Sequence, residues 1–197
     1  PAPLFLLEGA SIDGIYPVSE GRHTRLRLRQ GGSAIYTAYF GVAPGSLPYK
    51  VGDQVDAALS LSVYEGKNGP QLSGRVKALR PAGLGNEAAR QAVLFESLES
   101  GAALSAPDKQ LLRPARSDTV AVWRMVQGGA VCADDLLPMF AAVGEQNTGK
   151  ALVSLAALQQ LGLVQVCEQG GGRWYAPVPG AGKKDLASAQ ILHDLEE

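Results

Sequence analysis

The sequence has few of the residues that enzymes use for metal binding or covalent catalysis. Its 197 residues include only two cysteines and two histidines: Cys132, Cys167, His23 and His193. Their spacing does not fit a metal site, and two cysteines are too few for a disulfide framework. No carboxylate cluster or catalytic triad can be read from the sequence either. We therefore expect a chain that is not itself an enzyme and that holds no metal ion or cofactor.

Long apolar runs are also missing. No segment approaches the roughly 20 apolar residues that are needed to cross a bilayer, and no signal peptide is evident. Free thiols are the expected state of the two cysteines, which favours a reducing compartment. The sequence thus predicts a cytoplasmic protein without membrane contact, and we expect a monomer. It begins with Pro1 rather than Met, which is consistent with a piece of a longer protein.

The sequence does have enough apolar residues for a core, and its charge is uneven. Hydrophobic residues make up 46% and charged residues 19%, which is the composition of a folded chain. The net charge is −1, yet residues 1–80 hold nine Lys/Arg against six Asp/Glu, a balance of +3. Residues 81–197 hold nine against thirteen, a balance of −4. If one half contacts nucleic acid, we expect it to be the first.

The most informative stretch is residues 22–30, Arg-His-Thr-Arg-Leu-Arg-Leu-Arg-Gln. In an extended strand, alternate side chains point to opposite faces. Arg25, Arg27 and Arg29 then share an outer face, while Leu26 and Leu28 face a core. The row holds no acidic residue, and arginine binds phosphate oxygens through its planar guanidinium group. This pattern predicts a phosphate-binding surface; a solvated strand face without a partner is the alternative.

Five strands are predicted in the first 80 residues. Gly31-Gly32 and Asn68-Gly69 have the composition of tight hairpin turns, and the connection over residues 41–50 is rich in Gly and Pro, so at most a short turn fits there. This order predicts a small closed barrel of the OB type, with an open sheet or an SH3-like barrel as alternatives. In the last strand, alternation puts Leu72, Gly74, Val76 and Ala78 on one face and Gln71, Ser73, Arg75 and Lys77 on the other.

From Pro81 onward the periodicity becomes helical. We predict a helix over residues 86–100, a connector over 102–116, and a helix over 117–127 with Val120, Trp123 and Met125/Val126 buried. Further helices are predicted over 133–143 and 147–161, before two short strands joined by residues 169–172. Three helices and a glycine-tipped hairpin indicate a winged-helix-like domain. The fold class is therefore α+β, with two domains: an OB-like barrel (1–81), a helical connector (82–116), a winged-helix-like domain (117–180) and a C-terminal tail or helix (181–197).

Two further motifs have some features of functional sites. Residues 144–151 have the glycine and lysine spacing of a P-loop, but Ala151 stands where a magnesium-binding hydroxyl is needed and a helix precedes the loop. A turn that caps the following helix explains them better. The run Cys132-Ala133-Asp134-Asp135 is interpreted as acids in the first turn of a helix, opposing its dipole. The third helix of the winged-helix-like domain carries only one positive charge, Lys150, which would neutralise few phosphates. For this domain we therefore favour packing or protein binding over DNA reading.

Aromatic residues flank the arginine strand. Tyr36, Tyr39, Phe40 and Tyr64 could stack on bases or pack in the core. Tyr36 and Phe40 share one strand face and Tyr39 takes the other, so some of these side chains must be core. The outward-facing Arg75 and Lys77 extend the basic surface. The predicted nucleic-acid-binding residues are Arg22, Arg25, Arg27, Arg29, Tyr36, Tyr64, Arg75, Lys77 and Arg80.

Several short motifs follow one another along residues 10–80. They are Gly21-Arg22-His23-Thr24-Arg25-Leu26-Arg27-Leu28, Gly31-Gly32, Ala34-Ile35, Phe40-Gly41, Gly52-Asp53-Gln54-Val55-Asp56, Asn68-Gly69-Pro70-Gln71-Leu72 and Val76-Lys77-Ala78-Leu79-Arg80. In this order they resemble the OB-fold region of the bacterial single-strand-specific exonuclease RecJ. Thr24 stands where that family usually has a leucine, and Ala78-Leu79-Arg80 stands where it usually has Asp-Ile-Arg.

The resemblance implies a non-catalytic C-terminal part of a DNA-repair and recombination exonuclease. Such enzymes digest single-stranded DNA from the five-prime end with manganese or magnesium held in DHH domains, whose motifs this sequence lacks. Members of the Deinococcus type carry an extra domain after the OB-fold. For that domain we hypothesise a partner, the acidic, Phe-ending tail of single-strand-binding protein; the alternative function is a protein-interaction module with little DNA affinity. The charge-complementary residues would be Arg113, Arg116, Arg124, Lys150 and Arg173.

Overall fold

The structure is a computed structural model that describes residues 3–67 and 69–196. Its contacts divide the chain into two units. The first comprises Pro1–Gly83 and Gln169–Gly172, and the second comprises Leu84–Glu168 and Arg173–Glu197. Strands form the first unit and helices dominate the second, so the fold class is α+β as the sequence predicts.

The first unit is a closed barrel of five strands. They lie in the order β1-β2-β3-β5-β4, and β4 pairs with β1 to close the barrel. Neighbouring strands are antiparallel except for β3 and β5, which pair in parallel at Thr37 with Gly74 and at Ala38 with Arg75. This closure is the OB-like architecture and excludes the open sheet. The strands are β1 (Leu4–Val18), β2 (His23–Gln30), β3 (Ser33–Tyr39), β4 (Gln54–Gly66) and β5 (Gly69–Pro81).

Tight turns occur where the sequence places glycine. Gly31 has a φ of +57° in the turn between β2 and β3, and Gly69 has a φ of +95° at the start of β5. Glycine adopts such angles without a steric penalty. Asn68, the other half of the predicted second hairpin signal, lies outside the described residues. Between β3 and β4 the chain forms the short 3-10 turn Pro44–Ser46, as its prolines predict.

The barrel core confirms the alternation predicted for β2 and corrects the one predicted for β5. Leu26 and Leu28 are fully buried. In β5 the pairing register shifts between Val76 and Ala78, so the strand bulges at Lys77. A bulge adds one residue and moves the following side chains to the opposite face. Leu79 is therefore buried and Ala78 exposed, opposite to the prediction.

Among the residues that the structure describes, the second unit contains six helices and a hairpin except for its tip, Gln169–Gly172, which is grouped with the first unit. Helix α5 lies at its centre: nine of its thirteen residues are buried, including Leu152, Val153 and Leu155. The other helices and the hairpin surround this apolar core. The elements are α1 (Asn86–Glu99), α2 (Ala106–Leu112), α3 (Arg116–Gln127), α4 (Leu137–Val143), α5 (Thr148–Gln160), β6 (Val164–Gln169), β7 (Gly172–Pro177) and α6 (Gln190–Asp194).

Three helix predictions need correction. Helix α2 occupies the predicted connector, because Ser105 caps it and a proline at the first turn is compatible with a helix. Helix α4 begins at Leu137 rather than Ala133, and Pro138 lies in its first turn. In α3 the buried residues are Thr119, Val122 and Val126. Of the predicted core residues, Val126 is buried, Trp123 and Met125 are half-buried, and Val120 is 36% exposed.

The C-terminal segment is part of the second unit's core. Ile191 and Leu195 are buried with α5 and its neighbours. The backbone N–H of Ile191 donates to Oε1 of Gln160 over 3.1 Å, and Arg113 forms an ion pair with Glu196. The segment 190–195 thus packs against the core through Ile191 and Leu195.

Candidate nucleic-acid interface

Strand β2 presents its arginines on the outer surface of the barrel. Arg25 pairs with Ala38 of β3, and Arg27 pairs with Tyr36. Paired residues in a sheet share a face, so the β3 side chains beside the row are Tyr36, Ala38 and, two residues on, Phe40. Arg75 of β5 pairs with Ala38 on the other side. We call this surface the arginine face; it comprises Arg25, Arg27, Arg29, Tyr36, Phe40 and Arg75.

Two arginines of this face lie over aromatic rings. The guanidinium carbon of Arg25 is 4.3 Å from the centroid of the Tyr36 ring, and that of Arg75 is 4.4 Å from the centroid of Phe40. Tyr36 and Phe40 nevertheless remain 44% and 50% exposed. Tyr39, on the opposite strand face, packs against the barrel core. The aromatic residues of β3 therefore divide between surface and core, as strand alternation predicts.

His23 packs against Phe40 at one end of the arginine face. Its ring meets Phe40 edge-on, with centroids 5.2 Å apart. Its Nδ1 accepts a hydrogen bond of 2.9 Å from the backbone N–H of Gly41. The histidine is thus held as an acceptor at the end of β3, a structural role beside Phe40.

Asp13 lies among the arginines that the sequence suggests are free of acidic neighbours. Its Oδ2 is 2.6 Å from Nε of Arg29 and 3.3 Å from Nη1 of Arg27. The β1–β2 register shifts between Ile12 and Gly14, so Asp13 is the extra residue of a bulge. A bulge redirects its side chain toward the face. The expectation that no acidic residue neutralises the arginines of β2 is therefore wrong for Arg27 and Arg29. It rested on the sequence of residues 22–30 alone, whereas the acid comes from β1.

Tyr16 is a residue of this region that the sequence reading missed. It pairs with Arg25 across β1 and β2 and is 43% exposed. A Cβ added to Gly14 would lie 2.4–2.7 Å from atoms of its ring, so the ring lies across that glycine. The sequence offers one signal for this contact: Gly14 and Tyr16 are two residues apart on a predicted strand and therefore lie on the same face.

Three further predicted nucleic-acid-binding residues, Arg22, Lys77 and Tyr64, lie outside the arginine face as defined above. Arg22, in the turn between β1 and β2, donates from Nε to the carbonyl of Ser19 over 3.2 Å. Lys77 is exposed at the β5 bulge. Tyr64 donates a 2.6 Å hydrogen bond to Gln71 in the β4–β5 hairpin.

Arg80 is held by a buried carboxylate. Its Nε lies 3.1 Å from Oδ2 of Asp56, whose Oδ1 accepts from the backbone N–H of Gly9 over 2.9 Å. Asp56 is only 7% exposed. Through Asp56, Arg80 is linked to Gly9, which lies at a second register shift of β1, between Leu7 and Ala10 in its pairing with β4. Half of the Arg80 side chain remains accessible.

The predicted partner-binding residues do not form one surface. Arg113 and Arg116 line the same cavity of the second unit, whereas Arg124 lines a separate one beside α4. Lys150 is on the first turn of α5. Arg173 forms an ion pair with Asp134 across 2.7 Å.

A groove of about 580 Å³ lies beside Arg116 within the second unit. Its apolar lining includes a partly exposed valine and a tryptophan that packs against the core. Two lysines that the sequence reading did not select add positive charge to it. We call it the partner groove; its main lining residues are Arg116, Val120, Trp123, Leu163, Lys183 and Lys184.

The other sequence motifs act structurally. The turn at residues 145–147 leads into α5, and Gly149 donates its backbone N–H to Oε1 of Gln91 over 2.8 Å. Both Asp134 and Asp135 precede α4, so the interpretation that they lie in the first turn of a helix is wrong. Asp135 accepts from the backbone N–H of Leu137, whereas Asp134 binds Arg173. Burial raises the pKa of the Cys132 thiol, which disfavours the nucleophilic thiolate.

The described parts of the chain contain neither a metal-binding cluster nor a membrane-spanning helix. Over residues 3–67 and 69–196, no group of three His, Cys, Asp or Glu side chains is placed to hold a metal ion. Within the same ranges, no helix is both long and apolar enough to cross a membrane.

Comparison with known families bears on the barrel. Residues 1–78 match the RecJ OB domain. This match supports the resemblance to the OB region of RecJ and indicates a nucleic-acid-binding barrel, consistent with single-stranded DNA. It covers the arginine face and ends before α1. Among curated proteins, none matches the chain.

Two aminoacyl-tRNA synthetases are among the similar solved structures. Aspartyl-tRNA synthetase from Entamoeba histolytica is 8% identical with a TM-score of 0.35, over 81% of this chain and 32% of that one. Asparaginyl-tRNA synthetase from Pyrococcus horikoshii is 11% identical with a TM-score of 0.31, over 91% and 40%. The chain thus spans less than half the length of either synthetase. Likeness at this level says nothing about what this chain binds.

Proposed function

We propose that the barrel binds single-stranded DNA as the non-catalytic C-terminal part of a RecJ-like exonuclease of DNA repair and recombination, of the Deinococcus type. The observation that carries this proposal is the arginine face: guanidinium groups and exposed aromatic rings lie side by side on the outer surface of an OB barrel. Manganese or magnesium would belong to the catalytic domains of such an enzyme. The chain itself would bind without cleaving.

The composition of the face fits a single strand better than a duplex. Aromatic rings and guanidinium planes can stack only on bases that are not already stacked in a duplex, and each such contact contributes about 1–3 kcal/mol. Phosphate contacts from arginine add an affinity that does not depend on sequence. In OB folds the strand 2–3 surface and the adjoining loops bind oligonucleotides. Here that surface is formed by β2 and β3, with Arg22 in the β1–β2 turn.

Charge reversal of the face tests the proposal. Arg25→Glu with Arg27→Glu should abolish binding of a fluorescent oligo-dT, and the wild type should bind it far more tightly than a duplex of equal length. For the wild type, log affinity should fall with log salt at about −0.7 per neutralised phosphate. Arg116→Glu with Arg124→Glu, which makes the same charge change in the second unit, serves as the control. Unchanged affinity in the barrel variant contradicts the proposal.

The absence of activity is tested separately. The chain incubated with manganese and a five-prime-labelled single strand should leave the strand intact. Cleavage that survives purification, and that is lost in an Arg25→Glu/Arg27→Glu variant, would contradict a purely binding role.

A second candidate function concerns the partner groove. Its apolar lining and the positive charge of Arg116, Lys183 and Lys184 suit an acidic peptide that ends in an aromatic residue. The chemistry matches the Phe-ending tail of single-strand-binding protein. Helices α3, α4 and α5 followed by the β6–β7 hairpin have the order of a winged helix, but the burial of α5 disfavours its insertion into a DNA groove. We infer a protein-docking role for the second unit.

Peptide titration tests this docking role. A labelled acidic peptide ending in Phe should bind the full chain, and the same peptide without the Phe should bind at least tenfold more weakly. Lys183→Glu with Lys184→Glu should weaken binding, whereas Lys67→Glu, in the barrel, should not. Equal binding of both peptides would contradict a specific groove.

A further inference from the structure

We propose that Arg25 and Arg75 act as base-stacking groups rather than phosphate ligands, each supported by the aromatic ring beneath it. This inference deepens the proposed binding of single-stranded DNA and rests on it. We call Arg25 with Tyr36, and Arg75 with Phe40, the two stacked pairs. Each pair would present the open plane of its guanidinium group to one base, giving a layered arrangement of ring, guanidinium and base.

The geometry of each pair supports this assignment. A guanidinium carbon 4.3 or 4.4 Å from a ring centroid lies in contact with the ring. The attraction between the cation and the ring quadrupole holds the arginine in place. Both arginines are exposed, so each side chain remains accessible to a ligand while it lies against its ring. Bases stack on guanidinium planes as they do on aromatic rings.

The other arginines of the face are held differently. Arg29 donates from Nε to Oδ2 of Asp13 over 2.6 Å, and Nη1 of Arg27 lies 3.3 Å from the same oxygen in an ion pair. Hydrogen bonding to a carboxylate engages the edge of a guanidinium group, which is also the edge that binds phosphate. Arg27 lies 6.0 Å from the Tyr36 centroid, well outside the contact that Arg25 makes. The face therefore contains two kinds of arginine: stacked on rings, and bound at the edge.

The positions of the pairs indicate two separate bases. Arg25 and Arg75 flank Ala38 on neighbouring strands. With strands about 4.8 Å apart, their Cα atoms are separated by roughly 10 Å. The residue between them, Ala38, has a small side chain and is half-buried. One base is too small to cover both pairs, so each pair would receive a different base.

Lysine substitution separates stacking from charge. Arg25→Lys with Arg75→Lys keeps both positive charges but removes both planar groups. The control, Arg22→Lys with Arg29→Lys, makes the same change where neither arginine lies on a ring. The probes are an oligo-dT and an abasic oligodeoxynucleotide of equal length. The abasic strand has the same phosphates but offers no base to stack.

The expected result is a selective loss. The stacked-pair variant should bind oligo-dT at least about fivefold more weakly than the wild type, from the strength of base stacking, and should bind the abasic strand almost as well. The control variant should show no such selectivity. Tyr36→Leu with Phe40→Leu should reproduce the selective loss, because it removes the support beneath each arginine. Circular dichroism would verify that each variant is folded.

Two results would overturn the inference while leaving the proposed function standing. In the first, wild type and stacked-pair variant bind oligo-dT equally. In the second, the variant loses affinity equally for both strands, which would assign these arginines to phosphate. A wild type that binds neither strand would instead contradict the proposed function itself.

Discussion

Asp13 accepts a hydrogen bond of 2.6 Å from Nε of Arg29 across the β1–β2 pair. The same oxygen is 3.3 Å from Arg27, so one carboxylate is shared by two arginines. The three groups together carry a net charge of +1 rather than +2. Arg25 and Arg75 lie on aromatic rings instead. The acid therefore lowers the positive charge of the arginine face on the β1 side only.

Removing this carboxylate should strengthen binding of single-stranded DNA. Asp13→Asn frees both guanidinium edges for phosphate, because the amide oxygen is a weaker acceptor without charge. Exposed ion pairs contribute about 0.2–1 kcal/mol, so oligo-dT affinity should rise by up to about fivefold at low salt. Fluorescence anisotropy at several salt concentrations measures both the affinity and a steeper salt slope.

The control for this variant is Glu65→Gln, which removes one exposed carboxylate from the β4–β5 hairpin. It should change affinity less than Asp13→Asn does. A loss of affinity in Asp13→Asn would indicate that the carboxylate orients the arginines for DNA, opposite to the effect expected here.

The stability of the barrel should depend on the small size of Gly74, where β5 pairs with β3. A Cβ at this position would lie 2.8 Å from Cγ2 of Thr37, which is buried. Overpacking of this kind costs about 1–3 kcal/mol, so Gly74→Ala should destabilise the barrel. Thr37→Ser removes the opposing methyl group and keeps the hydroxyl that donates to the carbonyl of Leu26. Combined with Gly74→Ala, it should recover part of the loss.

Hydrogen exchange by mass spectrometry can assign this effect to barrel amides in the full chain. The double-mutant cycle should give a favourable coupling energy, since the two sites are in contact. Gly32→Ala is the matched control, because nothing lies within 4 Å of its added Cβ and its φ is not positive. If the effects of Gly74→Ala and Thr37→Ser on barrel stability were simply additive, the packing explanation would be contradicted.

Local periodicity predicted the parts of the site that lie within one strand. Leu26 and Arg25 were assigned to opposite faces because the strand period of two applies residue by residue. Tyr39 and Tyr36 divided in the same way. The fold class followed from the number of strands and the glycine turns. These features depend on neighbouring residues, so they could be predicted from the chain alone.

Features that depend on bulges could not be predicted in this way. Asp13 reaches the arginines, and Leu79 replaces Ala78 in the core, because an extra residue changes the strand face in β1 and in β5. No sequence signal marked Lys77 as a bulge. The prolines of residues 102–116 predict a connector, yet proline also fits the first turn of a helix, and Pro107 lies in the first turn of α2.

Gln91 should be important for the stability of the second unit. This buried amide donates to Oε1 of Glu87 and to the carbonyl of Gln146, and accepts from the backbone N–H of Gly149. Gln91→Leu would leave the last two backbone groups without this partner in an apolar surrounding. The cost of such unsatisfied groups is about 2–4 kcal/mol in total. Urea unfolding followed by tryptophan fluorescence measures it, because both tryptophans, Trp123 and Trp174, belong to this unit.

Gln159→Leu is the matched control, since Gln159 is exposed on α5. The same chemical change there should alter the free energy of unfolding by less than about 0.5 kcal/mol. Equal effects of the two substitutions would show that the Gln91 hydrogen bonds add nothing to stability.

The contact between Asp134 and Arg173 should make hairpin stability depend on pH. The backbone N–H of Arg173, and then its guanidinium group, lower the pKa of Asp134 below the ordinary 3.8. A carboxyl whose pKa is lowered in the folded state stabilises the fold fully above its unfolded pKa. That contribution should decline as the pH falls below 3.8 and be lost below the folded-state pKa. Since both groups are largely exposed, solvent screening keeps the effect small.

Asp134→Asn tests this dependence, because it removes the charge and retains an oxygen that can accept from the backbone. At pH 5 the variant should show faster hydrogen exchange in β7 than the wild type, and the difference should shrink as the pH falls through 3.8 toward 2. Glu168→Gln, a charge removal on the neighbouring strand, should leave the β7 amides unchanged at both pH values. A difference that stays constant across this range would assign the effect of Asp134→Asn to shape rather than charge. The reason is that the Asp134 carboxylate loses its charge as the pH falls, whereas the amide of the variant has no charge to lose.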